Sequence, residues 1–544
     1  MPGREATVST PPPEADGPAE GRTALWLAAI VLATLAVRIP TFRLPLDQDG
    51  SVFAYVADRW AHGELPYRDV WDHKPPLTYV VYRGLFAFAP PAAAPVNTTL
   101  RVGSALCDAV TVVLLFFFAR RLFGFAVGIV AGGLFGLFTG ATVLQFEAFQ
   151  PERLTVLFTV AAMLAAVAYA DSRQYRYAGL SGLLFGLALI AKQIAAPVGV
   201  VTWAWLTWDA FRAEGRQAVK RVAIHSVLLL VGAVLPWGLC AAYFAAHGAF
   251  GNFWECTYTF NVFYATEHRK GSVLTDLALL VRRMVFDHGF LWLTGAIGLV
   301  VALARRGERR RGLLMALWLF AAFLALVLPG QFANYYYIPT VAPLAIVSAV
   351  ALLGLVGLAQ HRKRGALSRV AAGIGAIVLL GLVALAAKRS FGDLRGRCAP
   401  DQTDVVVAEV AREIQSKLKN RPDARIYMRG GRPQVYILSG HRNICPFMYD
   451  FHYHVPPESA YHYKPEKRRR VLDAMEEWKP AYLVVTARGK GPEAQDGGYE
   501  NFGKGYLREF RERYLDGEGA PYGLEPIRSA TPFSVRVYCR KGER

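Results

Sequence analysis

Long apolar runs alternate with short polar interruptions along most of the chain, and the pattern changes near residue 389. Runs at 24–40, 98–119, 125–144, 154–170, 222–246, 285–304, 313–328, 338–358 and 370–387 each approach the roughly 20 apolar residues a helix needs to cross a bilayer. Residues 178–208 are too long for one crossing and are interrupted by Lys192, Gln193 and Pro197, so they read as two short helices. Residues 77–89 are apolar but short, which fits an interfacial or re-entrant piece. The pattern predicts a mainly α protein, a polytopic transmembrane bundle of about eleven helices.

Charge orients that bundle. Arg120–Arg121, Arg173 and Arg176, the cluster Arg212 to Arg221, the cluster Arg305 to Arg311 and the run 361–364 fall on one side at every return, as the positive-inside tendency requires. The N-terminus is then cytoplasmic, and the C-terminal domain of a multi-pass plasma-membrane protein is extracytoplasmic. Residues 1–22, rich in Pro, Glu, Gly and Ala, read as a disordered tail. Residues 23–388 form the membrane domain, with long outer loops at 41–97 and 247–284. Residues 389–544 alternate helical stretches such as DVVVAEVAREIQSKL with strand-like ones such as ARIYM, AYLVVTA and FSVRVYC, which predicts a small α/β layer domain.

Composition supports this division. The chain is 53% hydrophobic and 19% charged, against roughly 25% charged in soluble proteins. The formal net charge of +19 sits in short clusters between apolar runs, so it describes cytoplasmic loops and not a nucleic-acid partner. No cysteine pair has zinc spacing, and the three tail cysteines, Cys398, Cys445 and Cys539, leave a disulfide and free thiols both open.

The stretch of residues 46–79 concentrates the candidate chemistry. It holds Asp47, Asp49, Asp58, Glu64, Asp69, Asp72, His73 and Lys74, then a Pro-Pro step that stiffens the backbone beyond the lysine. For Asp47 and Asp49 a hydrated helix end is the plain alternative, and for Lys74 it is snorkelling to the interface. A second acidic point is Glu147 and Glu152, where Glu152 also suits the positive end of a helix. Asp108 and Arg101 share a face of one helix, as a structural pair or as functional groups inside the membrane. Lys192, and Gln331 with Asn334 and Tyr335 to Tyr337, fall at other outer turns.

Three blocks resemble the C-type glycosyltransferases: Asp49-Gly50-Ser51-Val52-Phe53-Ala54-Tyr55, Gly63-Glu64-Leu65-Pro66-Tyr67-Arg68-Asp69 and Lys74-Pro75-Pro76-Leu77-Thr78-Tyr79. The likeness is to the bacterial family 39 branch, with the protein O-mannosyltransferases and the lipid A aminoarabinose transferase. Arg120 to Gly124, Gln150-Pro151-Glu152, Gly330-Gln331 before Tyr335-Tyr336, and Pro433 to Tyr436 extend it over nearly the whole chain. The resemblance implies transfer of a sugar from a polyprenyl-phosphate donor to an acceptor hydroxyl at the outer face. It implies Asp49 as general base, Lys74 on the donor phosphate and Glu152 as the acidic residue of the second outer turn. Gly50 stands where the family usually has a second acid, so Asp47 is the candidate substitute, and His73 replaces a glutamate before the KPP block.

Arg153 and Lys192 are further candidates for the phosphate, and Tyr55, Tyr67, Asp72, His73, Gln331, Tyr335 and Tyr336 for substrate contact. No metal ligand is assigned, although the carboxylates and His73 leave a divalent metal open. Partners are then the lipid-linked donor, membrane lipid and an acceptor that is protein, glycan, lipid or wall polymer. A lipid-linked sugar flippase and a non-catalytic envelope assembly protein are the rival readings. The first lacks a visible internal repeat, and the second has no use for the KPP block.

Overall fold

The computed structural model describes residues 20–140 (except 92), 149–266, 273–286, 289–360 (except 306 and 331), 402–448 and 465–488, with short pieces of 370–381 and 495–542. Helix α1 (Glu20–Ala36) leads to the two helices of the first loop, α2 (Gln48–Ala61) and α3 (Leu77–Phe88). Then come α4 (Val96–Phe123), α5 (Phe125–Thr139), α6 (Pro151–Ser172), α7 (Tyr175–Ala191), α8 (Ala196–Glu214) and α9 (Val219–Ala246). The second loop is itself helical, with α10 (Phe250–Trp254), a π-turn at Glu255–Thr259, α11 (Phe260–Thr266) and α12 (Val273–Phe286). The bundle ends with α13 (Gly289–Ala304), α14 (Arg309–Val327) and α15 (Ile338–Gln360).

Among the described residues, 6 helical stretches are long and apolar enough to cross a membrane, or 7 if the pair bent by 81° before Gly289–Ala304 counts as one span. The difference from about eleven crossings has local causes. Helix α5 is 15 residues long, shorter than its apolar run suggests, and α7, the first of the two short helices expected, has 17. Helices α8 and α9 join through a turn at Gly215 into one stretch of 54 residues. Residues 370–387 lie almost wholly outside the described residues, as do 1–19. The break at Lys192 is present: its backbone is extended (φ −161°, ψ 134°), and α8 restarts with Pro197 in its first turn.

Helix packing relies on small residues, as it does where lipid supplies no hydrophobic drive between helices. A Cβ on Gly232 would lie 2.5 Å from the Leu183 backbone nitrogen, so α7 and α9 meet backbone to backbone. The outer side of α9 leaves Val227, Leu230, Val231, Val234, Leu235 and Leu239 exposed, a face suited to lipid. The two ends of the bundle differ. Where α4 and α6 end and α14 begins, Arg121 pairs with Asp171 at 2.8 Å, and Asp209 takes Arg310 and Arg173 at 2.9 and 3.1 Å. Where α4, α6, α8 and α15 begin, the polar residues of the candidate site gather.

At that second end a buried ion network ties three helices. Asp108 on α4 takes Arg38, just past α1, and Arg153 on α6, and Arg38 also donates to the Thr139 carbonyl at 2.8 Å. Asp108 is 1% exposed and Arg153 is also 1% exposed. Arg101 is not the partner of Asp108 that helical spacing suggests. It turns to the chain before α2, donating to the carbonyls of Thr41 and Pro45.

The C-terminal part builds α16 (Gln402–Lys417), β1 (Arg425–Arg429), α17 (Gln434–Ser439), β2 (Arg442–Asn443), α18 (Pro465–Trp478), β3 (Tyr482–Arg488), β4 (Gln495–Asp496), β5 (Tyr522–Leu524), β6 (Arg528–Ala530) and β7 (Phe533–Arg540). The sheet runs β2-β1-β3-β7-β5, parallel across β2, β1 and β3 and antiparallel from β3 to β7 and β5. Leu483, Val484 and Val485 of β3 are all buried, as a continuous apolar strand covered on both faces should be. Residues 501–514 lie largely outside the described residues. Among the described residues Cys107, Cys240 and Cys539 are free thiols, and Cys398 is not among the described residues.

Asp108→Ala leaves two buried guanidiniums without their shared carboxylate. The expected loss is about 3–5 kcal/mol of stability, read by denaturant or thermal unfolding in detergent. A variant as stable as the parent would remove the network from its central role.

Candidate active site

Asp47 caps α2. Its backbone is extended (φ −73°, ψ 162°) and its side chain accepts the Gly50 N–H at 2.8 Å. A Cβ at Gly50 would lie 2.8 Å from Asp47 Oδ1. The cap therefore occupies the space that an acidic side chain at position 50 would need, which accounts for the glycine there. Burial is the largest influence on Asp47 and pushes its carboxyl up, with Asp49 adding to the rise against the Gly50 N–H. Asp49 stands in the first turn of α2, where the helix dipole favours a carboxylate, and Gln150 Nε2 reaches its Oδ2 at 3.4 Å.

Lys74 is held by its neighbours in sequence. Its Nζ donates to His73 Nε2 at 2.7 Å, and its carbonyl accepts the Tyr67 and Tyr79 hydroxyls at 2.8 and 3.3 Å. Because Nε2 is the acceptor, the ring proton lies on Nδ1, which faces Asp72 Oδ1 at 3.3 Å. Asp72 also takes the Tyr79 hydroxyl at 2.6 Å and the His73 N–H at 2.8 Å. Burial, then Lys74, lower the His73 pKa to about 4 despite Asp72. Burial alone would raise Asp72, but the His73 hydrogen bond and charge, with Lys74 and Tyr79, hold it down at about 2.

The third part of the site comes from α6, the α7–α8 break and the start of α15. Gln150 is extended and Pro151 opens α6, so Glu152 and Arg153 leave its first turn roughly 100° apart. Glu152, 0% exposed, pairs with Lys192. Lys192 Nζ lies 3.9 Å from the Tyr336 ring centre and 5.6 Å from that of Tyr335. The Tyr336 hydroxyl is within electrostatic range of Lys74, Glu152 and Asp49 together, and Tyr335 of Asp49, Glu152 and Tyr264.

Asp49, Lys74, His73, Glu152, Lys192, Tyr335 and Tyr336 thus converge, with Asp47 and Asp72 supporting them. Arg153 does not join them, because its guanidinium points to Asp108. Tyr55 and Tyr67 serve as supports. The Tyr55 hydroxyl takes the Asn443 N–H at 2.8 Å, and Tyr67, in the left-handed region at φ 72°, is packed against Phe244 and Phe253. Gln331 and Glu147 lie outside the described residues.

Sequence reading quoted Gln150 only as part of the Gln150-Pro151-Glu152 block and missed Asn261 and Tyr264. Asn261 Nδ2 donates to the His73 carbonyl at 2.9 Å, and the Tyr264 ring stands 5.5 Å from the His73 ring. The signal for both was the aromatic-rich second loop, FWECTYTFNVFYATEHRK. Among the described residues, no three His, Cys, Asp or Glu side chains group as a metal site.

Residues 73–237, which include Lys74, Glu152 and Lys192, match the family model for dolichyl-phosphate-mannose-protein mannosyltransferase. ArnT from Cupriavidus metallidurans, solved bound to undecaprenyl phosphate, superposes with a TM-score of 0.56 at 16% identity, over 95% of this chain and 98% of that one. The chain has a C-type glycosyltransferase fold. The Archaeoglobus fulgidus oligosaccharyltransferase, in complex with Zn and sulfate, superposes at TM-score 0.55 and 12% identity, over 93% and 79% of the two chains. The oligosaccharyltransferase AglB from Archaeoglobus fulgidus, with an inhibitory peptide and a dolichol-phosphate, gives 0.51 at 14% identity, over 95% and 74%. No curated protein sequence matches the chain.

His73 makes stability depend on pH in a definite direction. Its folded pKa of about 4 lies below its ordinary value. The unfolded chain takes up a proton near pH 6.5, while the folded one does not until about pH 4, so stability falls across that window as pH drops. Asp72, held at about 2, loses its own contribution only lower, below about pH 3.9. Thermal midpoints in detergent should fall more for the parent than for His73→Gln between about pH 7 and about pH 5. Equal shifts would mean that the ring is not held neutral.

Proposed function

We propose that the protein transfers a sugar from a polyprenyl-phosphate donor to a hydroxyl of an acceptor at the outer face of the membrane. The observation that carries this reading is the convergence of one candidate base and two cations on one space, with Tyr336 in electrostatic range of Lys74, Glu152 and Asp49 and Lys192 lying over its ring.

The acceptor oxygen attacks the anomeric carbon, its proton passes to the Asp49 carboxylate, and the bond from that carbon to the phosphate oxygen breaks. A positioned base contributes typically 10²–10⁴-fold. Negative charge gathers on the leaving polyprenyl phosphate, and Lys74 and Lys192 stand where it develops. Neutral His73 holds the Lys74 ammonium without adding a competing charge. Glu152 fixes Lys192 and limits the net positive charge of the site. Arg153 is left out of this scheme, because its charge is committed to Asp108.

Sidedness follows in the same reading. The arginine pairs at one end of the bundle mark the cytoplasmic side. The site and the C-terminal α/β domain then lie outside, and the N-terminus lies inside.

Purified protein in nanodiscs, given labelled polyprenyl-phosphate sugars and a membrane extract as acceptor, should yield transfer or donor hydrolysis. Neither product from any donor would end the reading. In that assay Asp49→Asn should lower turnover by at least about 100-fold while donor binding and folding persist. Lys74→Ala should weaken donor binding by about 10–100-fold, the worth of one hydrogen bond to a charged group, as read by titration with undecaprenyl phosphate. Unchanged affinity would take the lysine off the phosphate.

A further inference from the structure

The C-terminal domain grips the loop that carries Asp49 and Lys74 at three places, using one short segment, residues 434–446. At the start of the loop, Gln434 Nε2 donates to the Leu46 carbonyl at 3.4 Å and to Asp404 Oδ1 at 2.8 Å. In the middle, the Asn443 N–H meets the Tyr55 hydroxyl, and the Tyr55 and Tyr436 rings stand 5.3 Å apart. At the far end the Trp71 N–H donates to the Pro446 carbonyl at 2.9 Å. Leu46 directly precedes the cap of α2, and Trp71 directly precedes Asp72, His73 and Lys74.

Gln434 is the most informative of these residues. It is 1% exposed, and its Nε2 faces two acceptors, so the amide cannot sit the other way round. Its Oε1 has no hydrogen-bond partner among the described residues. A buried oxygen left unpaired costs about 1–3 kcal/mol, which a leucine filling the same space would avoid. Asp404, which orients the amide, is itself held by Arg432 at 2.6 Å.

We propose that Gln434 is a positioning residue for sugar transfer: held by Asp404, it sets the turn entering α2 and so places Asp49 relative to Lys74. This rests on the proposed function. The C-terminal domain thereby takes part in the reaction without touching the reacting atoms.

The test uses the full chain in nanodiscs with Gln434→Glu, which keeps the shape and replaces the donor by an acceptor, and Gln434→Leu as a second variant should the first not fold. Amide exchange over residues 47–56 should rise at least about tenfold. With a polyprenyl-phosphate sugar, kcat should fall about 10–100-fold, the scale of a misplacement of about 1 Å. The donor KM and the affinity for undecaprenyl phosphate should stay within about threefold. Unchanged exchange, unchanged kcat, or a KM that rises with kcat intact overturns the proposal. If the parent transfers no sugar, the proposed function fails by itself, and the exchange result still decides whether Gln434 holds the turn.

Discussion

A carboxylate shared by two guanidiniums in the interior of the bundle is the constraint on which the rest depends. Asp108 joins Arg38 and Arg153, so the end of α1, the body of α4 and the start of α6 are locked together. Burying such charges is costly, and removing one partner is costlier than the set is stabilising. The arrangement therefore specifies geometry more than it adds stability. Once Arg153 is turned inward, the helical rotation of roughly 100° per residue sends Glu152 another way, and there it meets Lys192 in the break between α7 and α8. The ion pair of the site is a consequence of the ion network below it.

Lys74 is positioned by different means. A lysine ammonium is a flexible point charge on a four-carbon stem. Two prolines follow it, two tyrosine hydroxyls hold its carbonyl, and a neutral imidazole accepts from its Nζ. The strained Tyr67, at φ 72°, exists to deliver one of those hydroxyls, and strain of this sort persists only where the surroundings over-determine it. Phe244 and Phe253 supply those surroundings from α9 and α10, and Asn261 holds the His73 carbonyl. The second loop thus acts on the lysine through its neighbours.

What could be read from the chain, and what could not, divides along physical lines. The helix break at Lys192 was legible because a charge, an amide and a proline cannot continue an apolar run. The KPP block was legible because its spacing is local. Arg153 misled because neighbouring residues on a helix point to different partners, and no one-dimensional pattern reports which. Tyr55 and Tyr67 stood in the right motif but support the site instead of facing it, a distinction set by contacts almost 400 and almost 180 positions away. Gly50, a departure from the pattern that the motif blocks resemble, is explained by the Asp47 cap, which fills the space.

The segment of residues 46–88 could not hold this arrangement alone. Its helices α2 and α3 are 14 and 12 residues long, and isolated helices of about 12–15 residues are marginal in water. One side of the loop meets the bundle through Tyr82 on the Phe149 carbonyl and Asn261 on His73. The other side meets the C-terminal sheet through Leu46, Tyr55 and Trp71. A site carried on a loop between two bodies takes its precision from both. The membrane domain can fix where the cations stand, because Lys192 belongs to it and Lys74 leans on it. Asp49 stands in the first turn of a helix whose entry carbonyl is held by Gln434 of the C-terminal part, so the placement of Asp49 relative to Lys74 is a property of the docked pair of domains.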